Sequence, residues 1–308
     1  MTYVLTVLSD PYVHHASDRL LSRPRGRALP LQTWDEEANK TVIYFGPGGH
    51  FVLGYSGTAH LDGIPTDHFI AQSLHGQPIP WDHGSSGWHE HSGHADSSVH
   101  AVLPILARDL DAALRRLPAA DARTFHILSG GWLYGPAGPR QFLQKLGTIT
   151  GPPLRPWHDL LLPETSFVGA APPRFIGRAN SQPLVHELLR ARLDPAEMAD
   201  VLTKEIQNAS DIAMKEEGSR RIGRDVMIVT LSMPPFATIR FRRDGSAPDL
   251  PIYPLFTPWV IEPGWTWPPN RITGSLGIGS SRWITDMTGM TPRSGGVRPQ
   301  KRRRPPGQ

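Results

Sequence analysis

Short runs rich in β-branched, apolar and aromatic residues, separated by turn residues, open the chain. Residues 3–8 and 12–17 read as two strands around Ser9-Asp10-Pro11, a trio that favours chain reversal. A second hairpin is predicted from 41–45 and 51–55, which flank Gly46-Pro47-Gly48-Gly49. The period then lengthens. Pro65-Thr66-Asp67 precedes Phe69, Ile70 and Leu74, marking a helix start. Across 97–117, Val99, Leu103, Leu106, Leu110 and Leu114 recur on one helical face. A third hairpin is expected from 124–128 and 132–134 around Ser129-Gly130-Gly131, and 136–173 is too rich in proline to place. Two helices follow at about 183–192 and 195–217, the second opened by Asp194 as N-cap and Pro195 at its first position. Residues 225–231 and 238–241 close the pattern as strands.

Hairpins with one apolar face and helices with one apolar stripe must bury those faces against each other. The order of elements therefore predicts an α+β fold: a four-layer αββα sandwich of two antiparallel sheets with helices on both outer faces. Residues 1–234 form the expected core, 235–290 a Pro/Trp-rich extension carrying Trp259, Trp265 and Trp267, and 291–308 a disordered tail.

Composition alters this picture at three places. The 308 residues include no cysteine, so neither a disulfide framework nor a thiolate metal site is available, as suits a reducing cytoplasm. No basic leader and no run of membrane-spanning length occurs, so a soluble chain without membrane partners is expected. The net charge of +4 arises at the end: Arg293, Arg298, Lys301, Arg302, Arg303 and Arg304 stand in a tail without acids, and the remainder is slightly acidic. Nucleic acid is thus not expected as a partner except through that tail.

Candidate chemistry lies in two stretches. In WDHGSSGWHEHSGHADSSVH, the side chains of His83, His89, Glu90, His91, His94, Asp96 and His100 crowd one segment. Imidazoles there, His89, His91 and His94 foremost, could take Zn²⁺ or Ni²⁺, but the spacing fits no standard metal motif and reads as a solvated surface feature. The other stretch is the N-terminus. A threonine hydroxyl needs a base to become nucleophilic, and the free α-amine of Thr2, exposed when Met1 is removed, can serve as one at neutral pH. Lysine is scarce: five of 32 basic residues are lysines, and Lys40 is the only one before Lys145.

Thr2 opening a strand, the Ala16-Ser17-Asp18 element ending the second strand, Lys40 opening the third, the Ser56-Gly57-Thr58-Ala59 turn after the fourth and FIGRANSQPLVHELLRARLDPAEMADVLTKEIQNAS, which begins at Phe175, occur in this order. Together they resemble the N-terminal nucleophile hydrolases of the proteasome β-subunit kind over about residues 2–232. The resemblance implies a threonine-type amidohydrolase or peptidase, without cofactor, acting on a peptide or amide substrate and assembling into homo-oligomeric rings. It implies Thr2 as nucleophile and base, Asp18 and Lys40 as the pair that tunes it, Gly57 as oxyanion donor and Ser129 as a supporting serine. The family's further Asp and Ser have no clear counterpart in KEEGSRRIGRD, where Glu217 and Ser219 are the nearest substitutes and Gly218 occupies the aspartate position. A catalytically silent interaction subunit is therefore the alternative, and a metal- or nucleic-acid-binding protein using the histidine segment or the tail is another.

Overall fold

The computed structural model describes residues 2–23, 32–35, 38–46, 48–77, 94–118, 125–148, 152–153, 155–157, 166–170, 182–191, 194–217, 222–233, 236–242 and 259–261. Its strands are β1 (Val4–Ser9), β2 (Tyr12–Asp18), β3 (Leu21–Arg23), β4 (Gln32–Asp35), β5 (Thr41–Gly46), β6 (Gly49–Ser56), β7 (His60–Leu61), β8 (Ile64–Pro65), β9 (His126–Gly135), β10 (Gly138–Gly147), β11 (Arg155–Trp157), β12 (Ser166–Ala170), β13 (Val226–Ser232), β14 (Phe236–Arg242) and β15 (Trp259–Ile261). The helices are α1 (Thr66–His75), α2 (Val99–Arg116), α3 (Gln182–Ala191) and α4 (Pro195–Glu217).

Two sheets carry the fold. One runs β12-β1-β2-β13-β14, antiparallel throughout, and the other runs β11-β10-β9-β6-β5-β15. Alternation along each strand divides the core into layers. Tyr3, Leu5, Val7, Ala16, Val226 and Ile228 pack outward against Leu184 and Leu188 of α3 and Met198, Leu202, Ile206 and Ala209 of α4. On the other sheet, Val42, Leu53, Tyr55 and Ile127 pack outward against Ile70 and Leu74 of α1 and Val102, Leu106 and Leu110 of α2. Between the sheets, Val13, Met227, Val229 and Leu231 meet Ile43, Phe45, Val52 and Trp132. The result is an α+β sandwich with helices against both sheets. The α4 start follows its sequence signature, with Asp194 Oδ1 accepting the Ala196 N–H at 2.7 Å.

Three expectations change. Ser129-Gly130-Gly131 does not turn the chain: β9 runs straight through it, and the reversal comes between Gly135 and Gly138, so that the proline-rich stretch supplies β10. Those glycines are there because the neighbours are close. A Cβ on Gly130 would lie 2.7 Å from Thr6 Cγ2 of the facing sheet. The second sheet is also not purely antiparallel, since β15 pairs with β5 in parallel through Trp259↔Ile43 and Ile261↔Phe45. The first sheet extends past residue 234, because β14 pairs with β13 along Val226↔Arg242 to Ser232↔Phe236. The tail 291–308 and most of the 235–290 extension lie outside the described residues.

Candidate active site

Five pieces of chain meet where β1 begins. The β1–β2 ladder closes with the Asp18 N–H donating to the Tyr3 carbonyl at 3.1 Å, which sets Asp18 at the end of β2 beside the residue after Thr2. Asp18 is fully buried and gathers donors. Its Oδ1 accepts the Tyr3 N–H at 2.8 Å, and its Oδ2 accepts Lys40 Nζ at 3.0 Å, the Gly223 N–H at 2.9 Å and the Leu20 N–H at 3.2 Å. This ring of donors suits a carboxylate, which accepts at both oxygens.

Lys40, just ahead of β5, is fully buried as well. Its Nζ donates to the Leu20 carbonyl at 2.6 Å in addition to Asp18. Taking two charges out of water costs several kcal/mol per ion unless geometry and hydrogen bonds compensate, and here both groups are so provided. The segment before β5 is held separately: Asn39 Nδ2 donates to the Thr41 carbonyl at 2.7 Å and to Asp67 Oδ2 at 3.1 Å. Burial at the start of α1 raises the Asp67 carboxyl to about 6. Across the sheets, the hydroxyls of Ser17 and Thr41 lie 3.1 Å apart and join β2 to β5 beside the ion pair.

Thr2 is 2% exposed, and its carbonyl accepts the Ser56 hydroxyl at 2.9 Å. Gly57 follows directly with φ of +134°, a conformation that side chains disfavour, so a glycine is required where β6 leaves the sheet. Thr2, Asp18, Lys40 and Gly57 are thus gathered around the start of β1. Ser129 is not. It sits inside β9 opposite Leu53, on the face that packs against α1 and α2, whereas its neighbour Gly130 faces β1. Met1, Gly218 and Ser219 lie outside the described residues, as does the Glu217 side chain at the end of α4. What the chain brings to Asp18 from that region is the Gly223 N–H, next to the fully buried Ile222.

The sequence reading missed Ser56, Leu20 and Gly223. Ser56 had a signal, being the residue before Gly57, but the other two act through backbone groups, which no side-chain pattern reports. Of the histidine segment, residues 83–93 lie outside the described residues. His94 Nε2 is 2.8 Å from the Ser73 carbonyl, His100 is exposed, and no group of three or more His, Asp or Glu able to hold a metal occurs among the described residues. No helix among them is long and apolar enough to cross a membrane. Comparison of the chain with models of known protein families finds no match, and comparison with curated proteins finds none either.

Proposed function

We propose that the chain is an N-terminal nucleophile hydrolase of the proteasome β-subunit kind, a threonine-type amidohydrolase or peptidase that acts through Thr2 once Met1 is removed. The observation that carries this reading is the fully buried Asp18–Lys40 pair at 3.0 Å, fastened by the Tyr3 N–H to the residue that follows Thr2. Enclosing such a pair is costly, and it is held here to the residue next to Thr2, which carries a hydroxyl and, once Met1 is removed, a potential base. The Thr2 hydroxyl attacks an amide carbonyl while the α-amine takes the hydroxyl proton. The developing oxyanion is met by the Gly57 N–H. The C–N bond breaks with proton transfer to the leaving nitrogen, and water then releases the acyl group from Thr2. Lys40 lowers the proton affinity of the amine by like charge, and Asp18 holds Lys40 in its charged form. A peptide or amide substrate and a homo-oligomeric ring complete the proposal.

One observation favours a second reading, a catalytically silent interaction subunit of the same fold: from the segment entering β13 Asp18 receives the Gly223 backbone N–H, and Gly218 stands in the sequence where the family's aspartate is expected. Probe labelling separates the two. An epoxyketone or β-lactone should label the Met1-processed protein at Thr2 and leave Thr2→Ala unlabelled, both folded by circular dichroism. Absence of labelling in the processed wild type moves the assignment to the silent subunit.

A further inference from the structure

A ladder of contacts between the two sheets leads to one more residue. Gly130 of β9 faces Thr6 of β1, where an added Cβ would lie 2.7 Å from Thr6 Cγ2. Two residues earlier on each strand, Leu128 and Val4 form a common buried cluster. Two earlier again are His126 and Thr2. This last step has its own support: Ser56, whose hydroxyl holds the Thr2 carbonyl at 2.9 Å, pairs directly with His126 across β6 and β9. Directly paired residues on one face have Cβ atoms about 4.5–5.5 Å apart. An imidazole that is 8% exposed therefore stands in the layer that contains Thr2. Among the described residues, the titratable groups on the facing sides of the two sheets include His15 of β2, against Gly54, Lys145 of β10, paired with Leu128, and His50 of β6, paired with Trp132, and the Lys40–Asp18 pair stands at the end of β2.

We propose that His126 is the proton carrier between the Thr2 amine and the leaving nitrogen of the substrate, an inference that rests on the Thr2 reading above. After attack, the hydroxyl proton resides on the α-ammonium, while the departing nitrogen needs one proton as the C–N bond breaks. One ring nitrogen of His126 accepts the ammonium proton and the other releases its own to the leaving nitrogen. The imidazole ends neutral in its other tautomer, the amine is free again, the product nitrogen carries the proton that the ring released, and proton exchange with water resets the ring before the next turnover. A neutral histidine, with one donor and one acceptor nitrogen, is the side chain suited to this relay.

Leaving groups provide the test. An aliphatic amide needs its nitrogen protonated to depart, whereas a nitrophenyl ester releases a phenolate without help. His126→Gln and His126→Asn, each checked for folding by thermal unfolding, should lose on the order of 10²-fold in turnover of a short peptide amide and stay within about threefold of wild type on the acyl nitrophenyl ester. The amide pH–rate profile should also lose one ionisation. Equal loss on both substrates, or no loss on the amide, overturns the proposal. A second measurement reads adjacency without turnover: the His126 ring titration, followed by NMR, should shift between the Met1-processed protein and a form extended by one residue ahead of Thr2, because the α-ammonium moves. An unchanged titration sinks the inference by itself. If wild type cleaves neither substrate, the Thr2 reading fails and the relay with it, and a shifted titration then shows that the ring adjoins the amine without serving it.

Discussion

At the scale of single residues, Asp67 and Lys40 have opposite electrostatic settings. Asp18 offers Lys40 a buried counter-charge at 3.0 Å, and Lys40→Met would leave that carboxylate buried and uncompensated. Breaking such a pair from one side costs about 3–5 kcal/mol, so a fall of that size in unfolding free energy is expected from urea titration. Among the described residues, Asp67 has Asn39 and backbone N–H groups at its carboxyl, and burial raises it from 3.8 to about 6. Below about pH 4 it is protonated in both folded and unfolded chains. Between about 4 and 6 the unfolded chain releases this proton while the folded one keeps it, so stability falls as pH rises and stays lower above 6. At about 1.4 kcal/mol per unit, the loss is near 3 kcal/mol. Asp67→Asn keeps an acceptor for Asn39 Nδ2 and removes the charge. The variant should be more stable than wild type at pH 7.5 and lose that advantage toward pH 4; a constant difference across this range contradicts the burial argument.

At the scale of elements, the helices were legible from one apolar stripe on each, to which α4 adds a side-chain cap, as its Asp194, Pro195 and the face Met198, Leu202, Ile206 and Ala209 show. The strands were legible where short runs of β-branched and aromatic residues stand between turn signals, in β1, β2, β5 and β6. Glycine was the residue misread. Ser129-Gly130-Gly131 looks like a turn because glycine permits one, yet here it admits the opposite sheet, and nothing local in the sequence separates these two uses. Gly54 of β6 plays the same part: a Cβ there would lie 2.3 Å from His15 Nε2 and 3.1 Å from Val4 Cγ1. His15 is enclosed, held neutral by burial that lowers it to about 3, and its Nδ1 lies 2.9 Å from the Thr6 hydroxyl. It has little freedom to yield. Gly54→Ala should therefore cost about 1–3 kcal/mol, measurable as a lower denaturant midpoint with unchanged slope.

At the scale of the whole molecule, the sandwich could be anticipated from the order of elements, but the parallel edge formed by β15 could not, since Trp259–Ile261 lies far from β5 in sequence and no short-range pattern specifies that pairing. The candidate site was half legible. Thr2, Asp18, Lys40 and Gly57 stand in an order that points to them, whereas His126 reads as one more residue of a strand until β6 and β9 are paired. The Asp18 carboxylate draws together β2, the Lys40 segment and the Gly223 N–H, a separation of 205 residues between the last donor and the acceptor. This long reach has a consequence for the protein during its synthesis. In a nascent chain Asp18 leaves the ribosome some two hundred residues ahead of Gly223, so the pocket around Asp18 stays incomplete until that last donor has emerged. On the proposed reading of Thr2, a site that depends on the Asp18–Lys40 pair is therefore not fully assembled until Gly223 has joined it.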